Sequence, residues 1–381
     1  MRWKVPLADV SMGPEELDAA SRVLRSGWLS MGEVTSRFER AFAAYTGSRH
    51  ALAVSNATAA LHLAILALGI GRGDQVIVPA LTFVATANAL LYAGAEPVFA
   101  DITGEADFSL SPAAVEAAIT PRVRAIMVMH YGGYVCDMPA INAIAQRHGL
   151  AVIEDAAHAP GAALDGKKAG CLGDVGCFSF FANKNLTTGE GGMVVTDRDD
   201  LAERVSILRS HGMTSLTWDR HQGHAHTYDV VALGYNYRID EMRSSLGLAQ
   251  LEKLEENNQR RREITGWYWE RLSGLPGLSL PYCRHRGIAS AHLFPILLEA
   301  GIDRRRFMDE MKALGIQTSI HYPPVHQFSY HRQHYPVGPL PHTEAVGARE
   351  VTLPLYPAMS REDVETVAGA VAAALSLART G

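Results

Sequence analysis

The sequence predicts an α/β protein: a mainly parallel, mixed sheet covered by helices, followed by a smaller α+β C-terminal domain. Three observations predict it. Between residues 50 and 200, short apolar segments rich in β-branched residues alternate with helical patterns, as they do in a parallel sheet covered on both faces. After Asp240 a proline-free helical pattern runs to about Ser273, where Gly274-Leu275-Pro276-Gly277 stops it,. Beyond that stop, strand and helix patterns continue to the end of the chain. A length of 381 residues accommodates both units,. The expected division is a large α/β domain over 1–250 and the smaller domain over 251–381.

Strands are expected at 51–54, 75–79, 97–101, 124–130, 151–155, 176–181 and 192–196, each bounded by Gly, Pro or polar residues,. Helices are expected between them, among them 111–118 and 138–148. Asp240 is placed to cap the long helix. The second half of that helix, 252–263, is strongly charged and is expected to emerge from the core. In the C-terminal domain the pattern predicts strands at 291–298 and 317–321 and a helix at 303–314. A last helix begins at Ser360, with Asp363 completing a capping box. Val364, Val367, Val371 and Leu375 then line one face,.

Composition narrows the function. Hydrophobic residues make up 48% and charged residues 20%, with a formal net charge of −5. No long basic run is present, so nucleic acid is not an expected partner. No stretch reaches the roughly 20 apolar residues of a membrane span. Met1 to Leu7 has no apolar core of a signal peptide,. Four cysteines, at 136, 171, 177 and 283, form no CxxC pair and read as free thiols in a reducing cytosol. The expected location is cytoplasmic. His221, His224 and His226 form a local cluster without a supporting Cys or acid, read as a polar loop, so no metal is expected.

The chemistry concentrates at predicted strand ends. The 151–155 strand ends in Glu154-Asp155 and is followed by Ala156-Ala157-His158; a later apolar segment, Phe178-Ser179-Phe180-Phe181, leads to Lys184 and a Gly-rich turn. A carboxylate and a lone lysine, each at the end of an apolar segment, suit a pyridoxal 5'-phosphate (PLP) site. The lysine amine attaches to the cofactor aldehyde as a Schiff base, and the Asp keeps the pyridine nitrogen protonated. Ser55-Asn56-Ala57-Thr58-Ala59-Ala60 follows a strand and opens a helix. Such a helix N-terminus binds a phosphate; equally, Asn56 or Thr58 caps the first turn. Ser179 either reaches that phosphate or bonds to backbone. Phe83 is placed to stack on a ring or to join the core. His158 is placed to touch the cofactor or to serve the structure. His321-Tyr322-Pro323-Pro324-Val325-His326 is a proline-stiffened loop, that either presents two imidazoles and a phenol to a polyhydroxy ligand or forms a structural turn.

These segments, together with Ser26-Gly27-Trp28-Leu29-Ser30-Met31-Gly32, Gly189-Glu190-Gly191-Gly192 and Gly234-Tyr235-Asn236-Tyr237-Arg238, resemble the sugar aminotransferases of the DegT/DnrJ/EryC1/StrS group, within the fold-type I PLP-dependent transferases. The resemblance covers nearly the whole chain. It implies that Lys184 carries the cofactor and shuttles the proton, that Asp155 pairs with the ring nitrogen, and that Phe83 stacks on the ring. It implies that Ala57, Thr58 and Ser179 bind the phosphate, with His158 beside the cofactor and Asn236 reaching the phosphate bound by a second subunit. Trp28, Met31, His321, Tyr322 and His326 would lie near the sugar, and Arg238 would serve a basic cleft for a diphosphate. Relatives with His in place of the lysine are deoxysugar dehydratases, so Lys184 implies transamination. Departures are mild: Ala182-Asn183 precedes Lys184 where many relatives have Pro-Thr, and His158 stands where others have Gln.

The implied reaction moves an amino group from L-glutamate or L-glutamine, by way of pyridoxamine 5'-phosphate, to a nucleotide-linked 3- or 4-ketosugar for aminodeoxysugar synthesis, in a homodimer with shared sites. The alternatives are transfer to a ketocyclitol (an inosose), or a non-catalytic PLP-binding regulator that keeps the fold. The presence of both Lys184 and Asp155 argues against the regulator.

Overall fold

The computed structural model describes residues 3–215 and 227–379, so His221, His224 and His226 lie outside the described residues. The large unit holds a seven-stranded sheet. Its strands are β1 (His50–Val54), β2 (Gln75–Pro79), β3 (Glu96–Ala100), β4 (Val123–Met129), β5 (Ala151–Asp155), β6 (Val175–Ser179) and β7 (Gly192–Thr196). Their order across the sheet is β1-β7-β6-β5-β4-β2-β3. Only β7 runs against the rest, pairing antiparallel with both β1 and β6. The remaining neighbours pair in parallel. The sheet is therefore mostly parallel and mixed, and three predicted strands, 75–79, 151–155 and 192–196, begin and end where expected. Ile77, Ile126, Val128 and Val152 lie in one apolar core and Val76, Val78, Met127 and Ile153 in another. Burial on both faces explains why these strands read as continuous apolar runs rather than alternating ones.

Helices cover the two faces: α1 (Pro14–Ser26), α2 (Glu33–Thr46), α3 (Ala57–Ala67), α4 (Val84–Tyr92), α5 (Pro112–Ala117), α6 (Met138–His148) and α7 (Asp199–Leu208). Asn56, Ser111 and Asp137 cap α3, α5 and α6 with side-chain acceptors,. On one face Phe38 and Phe42 of α2 pack edge-on or tilted against Phe178 and Phe180,.

The long helix α8 (Glu241–Leu272) is capped by Asp240, whose side chain accepts from Arg243 N. The expectation that its charged half leaves the core holds on one face only, where Glu252, Glu255, Glu256 and Glu263 are exposed. Asn258 and Arg261 are buried, and Arg261 Nη1 donates to Leu355 O at 2.9 Å. Backbone carbonyls inside the protein give the guanidinium a partner, so its charge does not force it to the surface.

Beyond α8 a three-stranded sheet joins β8 (Leu278–Ser279), β9 (Phe294–Leu298) and β10 (Glu350–Leu353). It packs with α9 (Arg304–Ala313) and the last helix, Arg361–Leu377, whose Ser360/Asp363 capping box is present. Val364, Val367, Val371 and Leu375 are buried as predicted. The strand expected at 317–321 does not form. Ile316 and Ser319 make only single bridges, to Val5 and Thr352. Among the described residues no helix is long and apolar enough to cross a membrane.

Candidate functional site

Because β1, β5 and β6 are parallel, their carboxyl ends meet on one edge of the sheet. The antiparallel β7 begins there, at Gly192. Ligands of such sheets bind at this edge. A cavity of about 560 Å³ opens at it, and among its lining residues are Ala57, Thr58, Phe83, Asp155, His158, Ser179, Lys184, His321 and Tyr322.

The α3 N-terminus forms one wall. Asn56 Oδ1 accepts from Ala59 N at 2.8 Å, and Ala60 N donates to Asn56 O at 3.1 Å. That leaves the Ala57 and Thr58 N–H groups as first-turn donors at the positive end of the helix dipole. A Cβ on Gly192 would sit 2.6 Å from the Asn56 carbonyl carbon and 2.8 Å from Ala57 N. Only glycine lets β7 run under this turn. Gly192→Val is expected to push the turn out of place and to weaken, at least tenfold, binding of the PLP that the sequence leads one to expect, read by dialysis and fluorescence titration, with the fold checked by circular dichroism.

Asp155 ends β5 and is 4% exposed. Thr86 Oγ1 donates to its Oδ2 at 2.8 Å and Ala157 N to its Oδ1 at 3.1 Å. Since the Thr86 proton goes to Asp155, the Thr82 hydroxyl 2.7 Å away must donate to Thr86,. Burial raises the carboxyl pKa, against the two hydrogen bonds and the charge of Lys184. A buried carboxylate held by neutral donors is matched to a cationic ring nitrogen.

Glu154, its neighbour, points to the opposite face, as alternate strand residues do. It is fully buried and accepts from Gly170 N, Leu172 N and Gly173 N, and its Oε2 lies 2.8 Å from His130 Nε2. The sequence motif gave no role to this acid, which ties the 170–173 loop beneath the site. Glu154→Leu strands three backbone donors and is expected to cost about 3–5 kcal/mol of stability, measurable by urea unfolding.

Lys184 follows β6. Burial depresses its amine pKa to about 8, opposed by Asp155. Its Nζ lies 3.4 Å from Nε2 of His292, a residue that sequence reasoning missed. His158 is buried; Gly132 N donates to its Nδ1 at 3.2 Å. The neutral ring therefore carries its proton on Nε2 and donates it to the Tyr322 hydroxyl oxygen at 2.9 Å,. Burial, Lys184 and His321 all push the His158 pKa down. Phe83 is half exposed on the cavity wall, its ring 5.7 Å from that of Tyr322.

His321 is held by a second missed acid. Its N–H donates to Glu350 Oε2 at 2.8 Å, and its Nδ1 lies 2.8 Å from Thr352 Oγ1. Thr352 Oγ1 is also hydrogen-bonded to Glu350 Oε1, so the hydroxyl links the imidazole to the buried acid. Burial, reinforced by Lys184, lowers its pKa to about 4, and burial raises that of Glu350 to about 8.

The structure does not bring every predicted residue to this cavity. His326 turns away: the short turn Val325–Gln327 seats its ring on Phe99, with Nε2 3.4 Å from Glu344. Arg238 bridges to Val54 and donates to Ser210 Oγ at 3.1 Å. Met31 is buried elsewhere, and Trp28 lines a separate groove beside Arg37 and Leu248. Asn236 is exposed and pairs with Ser210. No arginine lines the cavity among the described residues, and Lys184 is its only lysine. The basic cleft expected for a diphosphate is thus not formed by this chain's described residues.

The chain is similar to proteins of known or named role along nearly its whole length. It is 42% identical over 367 residues to the spore coat polysaccharide biosynthesis protein SpsC of Bacillus subtilis, covering 94% of each chain. Its structure matches that of Helicobacter pylori PseC, an aminotransferase involved in the biosynthesis of pseudoaminic acid, with a TM-score of 0.92 at 29% identity, covering 99% and 100% of the two chains. It matches DesI, solved in the presence of its TDP-sugar product, with a TM-score of 0.88 at 35% identity over 98% and 93%. The model of the DegT/DnrJ/EryC1/StrS aminotransferase family spans residues 10–372, and the chain belongs to that family.

Proposed function

We propose that this protein is a PLP-dependent aminotransferase that moves an amino group from L-glutamate or L-glutamine to a nucleotide-linked 3- or 4-ketosugar. The convergence of Lys184, Asp155 and the α3 N-terminus on one cavity carries this reading. Family membership implies PLP, and the donor set fits it: anion donors at one end, a buried carboxylate at the other, an aromatic face and a depressed lysine. When bound, the cofactor supplies an electron sink that acidifies the carbon bearing the amino group.

The protein supplies the rest. Ala57, Thr58 and Ser179 hold the phosphate. The Asp155 carboxylate holds a protonated ring nitrogen, and Phe83 covers a ring face. Lys184 Nζ takes the proton from the donor Cα. In the second half-reaction it returns one to the carbon that bore the ketone. With a pKa of about 8, roughly a tenth of the amine is the free base at pH 7,. His158 and His321, both held neutral, line the cavity without adding positive charge that would compete with the amine.

The missing cations and Asn236 are assigned to a second copy of the chain. Tyr228, Val230, Val231 and Leu233 are exposed, Leu233 by 85%, and such an apolar run supports burial between subunits. Trp28 and Met31 are assigned to the same shared site. Mixing inactive Lys184→Ala and Asn236→Ala proteins is expected to restore up to about a quarter of wild-type activity if subunits exchange and two defects fall in one site of each hybrid. No recovery from mixtures proven to contain hybrids would refute the shared site.

The decisive experiment follows nitrogen-15 from labelled glutamate or glutamine into products, using a panel of nucleotide-linked 3- and 4-ketosugars and one free ketocyclitol. Labelled amino sugar is the expected result. The absence of arginine among the described residues lining the cavity favours a second reading, an uncharged ketocyclitol acceptor, and label found only in an aminocyclitol would select it. Label in neither, with no exchange between donor and its keto acid, would return the chain to a non-catalytic role.

A further inference from the structure

We propose that His292 is a positioning residue that holds the free Lys184 amine through a lone pair on Nε2, because a one-way hydrogen-bond chain ending on two backbone carbonyls fixes its tautomer. This deepens the aminotransferase reading and rests on it for its kinetic consequence, though not for its structural content.

The direction of the chain follows from its ends. Asn258 Nδ2 donates to Pro160 O at 2.8 Å, and a carbonyl only accepts. Asn258 therefore turns its Oδ1 toward Asn185, whose Nδ2 donates to it and to Ser290 O, both at 2.8 Å. Asn185 must then present Oδ1 to His292, 3.0 Å from Nδ1. An amide oxygen accepts, so Nδ1 carries the proton and Nε2 keeps its lone pair. Lys184 Nζ lies 3.4 Å from that nitrogen. Reversing any link would set two donors or two acceptors against each other in the interior, at the cost of an unmade buried hydrogen bond,.

The charged surroundings keep the ring neutral. His292 is 6% exposed, and burial lowers its pKa, reinforced by Lys184, His158, Arg261 and His321. The charge of Asp155 raises the Lys184 amine pKa, against the burial that lowers it. The amine must repeatedly leave and regain the reacting carbon. A fixed acceptor gives it one resting place and one orientation, instead of the many rotamers open to a long side chain.

Two measurements test the proposal separately from the reaction. Nitrogen-15 spectra of histidine-labelled protein, with and without cofactor, are expected to show His292 with a pyrrole-type Nδ1 and a pyridine-type Nε2 from pH 6 to 9. A proton on Nε2 in that range overturns the proposal, whatever the enzyme's substrate proves to be. In single turnovers with Cα-deuterated donor, His292→Phe is expected to raise the primary isotope effect and slow proton transfer at least tenfold, with donor KM within about twofold. Its pH midpoint should fall by about one pH unit, because the ammonium loses an acceptor. His292→Gln, which can offer an amide oxygen at the same place, should restore the rate, and Asn185→Leu should mimic His292→Phe by freeing the tautomer. Unchanged isotope effect and midpoint in folded His292→Phe and Asn185→Leu also overturn it. An intact tautomer pattern in a protein that transfers no amino group would refute the aminotransferase reading instead.

Discussion

Lys184→Ala is expected to lower turnover by at least about 10³-fold, because the variant loses the group that moves the proton. The loss should fall on the chemical step. Donor binding should change little, since the phosphate and ring contacts are assigned to Ala57, Thr58, Ser179, Phe83 and Asp155. Single turnover with Cα-deuterated glutamate separates these effects. A small exogenous amine should partly restore the proton transfer in the vacated space. In the wild-type protein the same assignment fixes a pH profile. The amine acts as its free base, and burial places its pKa near 8. The donor half-reaction should therefore rise about tenfold per pH unit below that value and level off above it. Lys184→Arg keeps the charge but cannot give up its proton, so it should be as inactive as alanine. Retained multiple turnover in Lys184→Ala would end this assignment.

The same depressed pKa bears on stability. An unfolded lysine titrates near its ordinary value, so between about pH 8 and that value the unfolded chain binds more protons than the folded one. Stability contributed through this group accordingly increases as pH rises through that window. Below it, the buried ammonium costs the fold the full difference,.

Much of this site was legible because its parts are strand ends. Residues 151–155 and 192–196 are apolar runs with short turns at each end, so their positions along the chain identify the edge of the sheet where Asp155 and Gly192 lie. Lys184 stands out because an apolar strand leads to it. What the sequence did not disclose depends on contacts between distant segments. Thr86 reaches Asp155 from α4, Glu350 reaches His321 from β10, and His292 reaches Asn185 from beyond α8. No local pattern marks any of these as partners. His326 misled for a related reason. The prolines before it suggested a rigid loop aimed at ligand, but Pro324 leads into a tight turn that seats the imidazole on Phe99. Charge misled in the second half of α8, where Arg261 is satisfied by backbone oxygens inside the protein.

Asp155→Ala should cripple the same half-reaction by a different route, with a loss of roughly 10²–10⁴-fold. The carboxylate is buried, receives two neutral hydrogen bonds, and is the only Asp among the described residues that line the cavity. A protonated ring nitrogen opposite it would supply the positive charge that burial otherwise denies. Removing the carboxylate lets that nitrogen lose its proton and weakens the pull on electrons at the donor Cα. Asp155→Asn keeps the size and the hydrogen bond but not the charge. It should be nearly as slow as alanine, which separates charge from shape. Asp155→Glu should retain more activity than either, limited by the crowding of a longer side chain against Thr86. The three variants therefore rank Glu above Asn and Ala if charge on this atom matters, and Asn above Glu if only shape does. Phosphate binding should be unaffected in all three, because it is assigned to the α3 N-terminus at Ala57 and Thr58 and not to Asp155. Near-normal half-reaction rates in Asp155→Ala would remove the carboxylate from the mechanism, even with Lys184 shown to be indispensable.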